Sequence, residues 1–370
     1  MLMTRLSVLC ALSALNSFSA SAQSGVLVGA STASSGGYHT LWIVRDTTRP
    51  LQATIPDLLV PRADGWWRVG TAFICETGGS ERRSMEVLWR ARADSAVTIP
   101  EICHELRRGD LPIPVYAEDS TEIDSIKQEI VRCSWSDVEI KFVSPEYMAI
   151  GEVSGQSEEC EPRGGRWFQS YYVSHFNGDS SFALSQFAVA KVDSVARLAL
   201  ERAAKDLWRG GMCATVSEGI NPDQLLEIGN AWYPWRISGR WMPIVWEPLE
   251  GPECTLHPGV DLVLTTTFTG DDSLRVPWSA LARRIRGIED AFTSPGGDLI
   301  VVRTADSLFV HLGDRQQLGR RIGSIPFAKH EIVMIQWATG RNVARWGHEI
   351  AAMTRRGFPG PKVVPAPKDP

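Results

Sequence analysis

The residues that could do chemistry in this chain are a few histidine–acid neighbours, a cysteine set and an unusual stock of tryptophan. His330-Glu331 and His348-Glu349 begin like a zinc-protease helix. Met334 and Ala352 stand where the second histidine ligand would fall, so neither pair completes that site and both are expected at the surface. Cys103-His104-Glu105 would make a nucleophile if the thiolate met the imidazole, but sequence neighbours seldom face one another, and Cys103 has another use as a disulfide partner. The sequence has no Gly-x-Ser-x-Gly elbow, no Ser-x-x-Lys pair, no phosphate loop and no EF-hand pattern. Carboxylates such as Glu158, Glu159 and Glu161 are plentiful, but a glycosidase pair is defined by separation in space. No catalytic residue, metal ligand or cofactor is therefore assigned.

The 14 tryptophans are the larger signal. Trp66 and Trp67 are adjacent in a strand pattern, and successive strand side chains point to opposite faces. Both cannot enter one core. The same holds for Tyr171 and Tyr172, and for Trp241 and Trp246 in an unbroken strand. Outward aromatic rings stack on sugars or anchor a protein interface. Trp66, Trp67 and Trp241 are the expected ligand contacts, and packing in a core or between domains is the competing use of each ring.

The compartment sets how the cysteines are read. Met1–Ala22 has Arg5, an apolar run from Leu6 to Leu15 and the small-residue end Ala20-Ser21-Ala22. This is the build of a secretory signal, with cleavage expected before Gln23. The protein is expected to be exported, periplasmic or extracellular, with no transmembrane segment after cleavage. Cys75, Cys103, Cys133, Cys160, Cys213 and Cys254 follow the signal. An even number of cysteines in an exported chain favours disulfides. Grouped by position, Cys213 is expected to pair with Cys254, and Cys75, Cys103, Cys133 and Cys160 among themselves. No two form a CxxC, which disfavours zinc.

Net charge is −5 over 370 residues but unevenly spread. From Ser273 onward 15 Lys and Arg face 8 Asp and Glu, a balance of +7, which leaves 23 against 35, or −12, for the rest. The basic end could meet an anionic wall or membrane surface, or be a solvated face. Nucleic acid is not an expected partner of an exported protein.

The elements read as follows. Residues 23–37 are Gly- and Ser-rich and expected to be flexible. Strands are expected at Tyr38–Val44, Leu58–Val60, Trp66–Val69, Met85–Ala91, Val138–Val143, Tyr147–Val153 and Trp167–Phe176. Further strands are expected at Tyr233–Ile237, Trp241–Trp246, Val260–Phe268, Leu299–Arg303, Ser307–Leu312 and Glu331–Trp337. Helical spacing marks Ser120–Cys133, Val192–Trp208, Ser279–Ile285 and Asn342–Met353, with another helix start at Asn221-Pro222. The fold class is α+β, with mostly antiparallel sheets, segregated helices and two to three domains. These would be a β-rich domain with one helix over 38–165, an α+β domain over 166–285, and a small meander with a closing helix over 286–356. The tail 357–370 reads as disordered.

One stretch carries a resemblance. Phe142-Val-Ser-Pro-Glu-Tyr-Met-Ala-Ile150 precedes the turn Pro162-Arg-Gly-Gly165. Gln169-Ser-Tyr-Tyr-Val173, Asn177-Gly-Asp179 and Phe182–Phe187 follow, and later Gly270-Asp-Asp-Ser-Leu-Arg-Val-Pro-Trp-Ser-Ala-Leu281. In order and spacing, residues 138–285 resemble the extracytoplasmic region of lysozyme-sensing anti-sigma factors, similar to an accessory region of some peptidoglycan deacetylases. The chain departs from that family where Arg163-Gly-Gly165 replaces a usual histidine and where a Pro-Tyr element reads Trp246-Glu-Pro-Leu249. It also has neither the membrane anchor nor a deacetylase domain. No functional residue is carried over. The resemblance implies a non-catalytic, envelope-facing α+β module. The expected function is recognition of an envelope glycan or protein partner, with a hydrolase of wall polymer or polysaccharide and a structural envelope protein as the alternatives.

Overall fold

The computed structural model describes residues 24–32, 37–45, 52–78, 81–94, 98–100, 134–156, 167–176, 181–189, 192–209, 231–245, 247–248, 255–256, 258–314, 317–357 and 362–364. The chain begins with β1 (Ser24–Thr32), β2 (Tyr38–Val44), β3 (Gln52–Pro56), β4 (Leu58–Arg62), β5 (Gly65–Gly78), β6 (Glu81–Arg92) and β7 (Thr98–Pro100). Then come β8 (Ser134–Val143), β9 (Tyr147–Gln156), β10 (Trp167–His175) and helix α1 (Val192–Arg209). β11 (Trp232–Ile237) and β12 (Arg240–Val245) form a hairpin, followed by the two-residue strands β13 (Glu247–Pro248) and β14 (Thr255–Leu256). The helical turn α2 (Thr266–Thr269) and short helix α3 (Trp278–Arg284) lead into β15 (Ile288–Thr293), β16 (Leu299–Thr304), β17 (Ser307–Asp314) and β18 (Gln317–Pro326). β19 (His330–Thr339), helix α4 (Arg341–Arg356) and β20 (Lys362–Val364) follow.

The sheets are mostly antiparallel. A four-stranded sheet runs β19-β1-β2-β3, a six-stranded sheet β10-β9-β8-β6-β5-β4, and a four-stranded meander β15-β16-β17-β18. Parallel pairing joins β6 to β8 and β20 to β7. The first two sheets meet at a corner. β3 and β4 are separated by Asp57, whose φ is 65°, so β3 pairs with β2 while β4 turns onto β5. The Arg68 guanidinium grips the Asp57 carboxylate, and Leu59 N–H donates to Thr40 Oγ1 at 2.8 Å.

The first sheet has a core on each face. Val26, Val28, Leu41, Ile43, Ile332 and Ile335 face a cluster shared with the β8–β10 strands, the β11–β12 hairpin and the meander. Leu27, Trp42, Val44, Val333 and Met334 face a second cluster closed by Val343, Trp346, Ile350 and Met353 of α4. A strand covered on both faces reads as a continuous apolar run, as in Val26-Leu27-Val28. A smaller core seats Val276 and Leu281, from around α3, on Ala291, Ile300 and Val302.

Several expectations need correction. Ser24–Thr32 is not loose: all of it but Thr32 is buried as β1. Its glycines make room for neighbours, since a Cβ on Gly25 would lie 2.5 Å from Trp42 Cη2. The segment 286–356 is not a closed unit, because β19 leaves the meander to pair with β1 and α4 packs on that sheet. Residues 260–268 are not a strand. Val260, Leu262 and Leu264 are buried alternately, but the segment is held by isolated bridges at Gly259 and Leu264 and single backbone bonds to Pro243, Phe187 and Val189 rather than by a ladder, and it ends in α2. In the tail, Lys362–Val364 pairs with Thr98–Pro100. The segment 1–23, the helix expected at Ser120–Cys133 and the start at Asn221 lie outside the described residues, as do Cys103, Cys133, Cys160, Cys213 and Cys254. Cys75 sits in β5 opposite Ser84, with only its backbone described.

Candidate functional site

The three tryptophans expected to contact a ligand are placed differently from one another. Trp66 and Trp67 are both half-buried and both pack against the second core, which corrects the expectation that they could not share one. Trp66 stacks edge-on against Trp346 of α4 at 5.3 Å, and its indole N–H donates to Glu349 Oε2 at 2.7 Å. Trp67 meets Phe176 at 5.9 Å, and its N–H reaches the Asp64 carboxylate at 3.0 Å. Trp241 is not outward: it is 3% exposed, edge-on to Phe142 at 4.9 Å, with the Arg236 guanidinium 5.5 Å from its ring. Its surface position is therefore corrected. β12 turns this ring into the shared core, where Phe142 of β8 packs against it and its ladder partner Arg236 lies beside it.

Arg236 explains that inward turn. It is fully desolvated and held by Asp290 at 2.7 Å, by Asp272 and by the Ala291 carbonyl at 2.7 Å. The same two acids accept backbone N–H bonds from Gly239 and Trp241. Every strong donor and acceptor is satisfied internally, so this buried cluster is a clamp between the β11–β12 hairpin and β15, with nothing left over for a ligand.

A different group has the makings of a site. β8 supplies Glu139 and Lys141, β10 Tyr171, β11 Tyr233 and Trp235, and β19 Glu331. Lys141 Nζ lies 2.6 Å from Glu139 Oε2. It also sits 5.6 Å from the Tyr233 ring, 5.7 Å from Trp235 and 6.0 Å from Tyr171. An ammonium held against aromatic faces gains electrostatic attraction at each. Tyr171 and Tyr233 pack at 4.5 Å, and Tyr233 and Trp235 at 6.4 Å. Gly151, paired with Tyr171 across the ladder, leaves the room that ring needs, since a Cβ there would lie 2.7 Å from Tyr171 Cε1.

The electrostatics of this group are unusual. Burial lifts the Glu331 carboxyl above the ordinary carboxylate range, Lys141 and Arg303 pull it down, and Glu139 pushes it up. Burial and the two nearby carboxylates hold the Tyr171 phenol up at about 12 and raise that of Tyr233 as well. Both phenols therefore keep their protons and remain donors. Glu139 is more open than Lys141, with 43% of its side chain exposed against 11%. The arrangement offers two carboxylates, one cation, two phenol donors and a half-buried indole. Tyr171 and Tyr233 are 6% and 7% exposed, so the group meets solvent chiefly through the Glu139 carboxylate and the half-buried Trp235 indole.

None of these six residues belongs to a motif. The signal in the sequence was the spacing of two in Glu139–Lys141 and Tyr233–Trp235, which puts each pair on one strand face. The expectation that His330-Glu331 lies at the surface is also corrected. Glu331 joins this group, and His330 is half-buried, 4.8 Å from His39 and edge-on to it. His348 is exposed as expected, while Glu349 is half-buried beneath the Trp66 indole. Among the described residues no cluster of three or more His, Cys, Asp or Glu could hold a metal ion. No helix among them is long and apolar enough to cross a membrane.

No protein-family model matches the chain, and no curated protein matches it significantly.

Proposed function

We propose that the protein is an exported, non-catalytic binding module of the cell envelope, and that Glu139, Lys141, Tyr171, Tyr233, Trp235 and Glu331 form its glycan recognition site. The observation that carries this is the aromatic wall around the Lys141–Glu139 pair with Glu331 beside it. Sugars present hydroxyls at their edges and C–H groups on their faces. A site for them combines charged or phenolic hydrogen-bonding groups with a ring to stack on. Export is supported by the pattern of Met1–Ala22. The resemblance of residues 138–285 to a sensor region supports the envelope setting and brings no ligand of its own.

A second reading, a hydrolase, is favoured by one observation. Burial lifts the Glu331 carboxyl above the ordinary carboxylate range, with Glu139 adding to the rise, and a carboxyl that holds its proton longer suits a general acid.

The test is calorimetric titration with soluble wall-glycan fragments and neutral oligosaccharides. Trp235→Ala and Lys141→Met are expected to weaken binding at least tenfold, about 1.4 kcal/mol each, with the far-UV spectrum unchanged. Retained affinity in both variants would place the site elsewhere. Turnover of a bound fragment that is lost in Glu331→Gln would replace the binding reading with the hydrolase.

A further inference from the structure

Helix α4 uses its two sides for different purposes. Val343, Trp346, Ile350 and Met353 are buried in the second core. Arg341, Arg345, His348, Arg355 and Arg356 are all exposed. At 3.6 residues per turn these five positions fall within about 100° of arc, and the stripe runs for about 24 Å. The one acid of the helix, Glu349, is occupied by the Trp66 indole. No ion pair joins any of the four arginines to an acid among the described residues.

Arg355 and Arg356 stand in the last turn, where the helix macrodipole favours a cation, but helix stability does not account for Arg341 and Arg345. Arg341 occupies the first turn, where the helix macrodipole disfavours a cation, and no acid is there to offset it. Arg341 and Arg345, like charges four residues apart, also repel each other. The stripe also opposes the sign of most of the chain, since residues before Ser273 carry a balance of −12. An exposed stripe of one sign attracts an anionic partner.

We infer that the α4 stripe docks the protein on an anionic phospholipid bilayer. The shape selects the bilayer over a threadlike polyanion. A linear polymer is tracked by a groove with cations on its walls, whereas these arginines crown a helix whose inner side rests on a sheet. The apolar side of α4 is already used inside the protein, so the contact is electrostatic, without insertion. It does not rest on the glycan reading.

The experiment is co-sedimentation of the protein with vesicles of phosphatidylcholine alone and with vesicles rich in phosphatidylglycerol. Binding is expected only to the anionic vesicles, and is expected to disappear at high salt. Removing three charges in Arg341→Gln/Arg345→Gln/Arg355→Gln should weaken it roughly a hundredfold, on the usual gain per basic residue at an anionic surface. The charge-matched variant Arg283→Gln/Arg286→Gln/Arg320→Gln alters exposed arginines away from α4 and should bind like the parent. Thermal melts of both variants verify folding. Equal loss in the two variants would overturn the proposal, as would no binding to anionic vesicles. Binding to inorganic polyphosphate without binding to vesicles would also overturn it, in favour of a soluble polyanion.

Discussion

Glu331 holds its proton to higher pH in the folded protein than in the unfolded chain, because burial penalises its charged form. The sign of the consequence follows. Below the ordinary glutamate value both states are protonated and the carboxyl carries no penalty. As pH rises from there through the raised folded value, the unfolded chain gives up its proton first and stability declines. Glu331→Gln has no proton to lose, so its melting temperature is expected to exceed that of the parent at pH 7, with the gap closing near pH 4. Thermal melts across that range check this, and a gap independent of pH would refute the burial account. Tyr171 and Tyr233 stay protonated throughout, so the site keeps its phenol donors while Glu331 changes charge.

Hairpins were the elements most legible in the sequence, because their signals are local. Asp64-Gly65, Ser144-Pro145 and Ser238-Gly239 mark turns flanked by β-branched and aromatic runs, and the structure turns at each. What lay hidden depends on distant neighbours. The alternation at Val260, Leu262 and Leu264 is real, yet the segment bonds to β12 at one end and to residues 187–189 at the other, with no continuous ladder to make it a strand. β18 was invisible because Leu318, Ile322 and Ile325 are spaced at four and three rather than alternating, with glycines between them, and β17 beside it makes it a strand. The candidate site was illegible for the same reason, since its six residues come from four strands far apart in the chain. Asp290, which belongs to no sequence motif, is 1% exposed and holds the β11–β12 hairpin through Arg236. Asp290→Asn is expected to cost about 3–5 kcal/mol by leaving a buried guanidinium short of charge. A urea midpoint within error of the parent would show that Asp272 alone suffices.

The whole molecule is organised around the first sheet, which touches both large cores, and two glycines near Trp42 test that organisation. Gly25→Ala places a methyl group against the indole ring and is expected to destabilise by about 1–3 kcal/mol. Gly347 lies within α4, where an added Cβ would come no nearer than 3.8 Å to the same indole. Gly347→Ala is expected to stabilise by about 0.5–1 kcal/mol through helix propensity. Chemical denaturation measures both, and equal effects would show that the packing at Trp42 yields.

The pairing of β1 with β19 also sets a timetable. β1 and β2 are synthesised together and can zip at once, but the other edge of β1 finds no partner until Thr339 has been made. Until then an apolar strand edge stands open, the kind of edge that recruits other chains. Closure over so long a stretch of chain is intrinsically slow. The nascent protein therefore spends most of its synthesis short of its central sheet. A partner that shields strand edges would raise its yield more than one that speeds any local step.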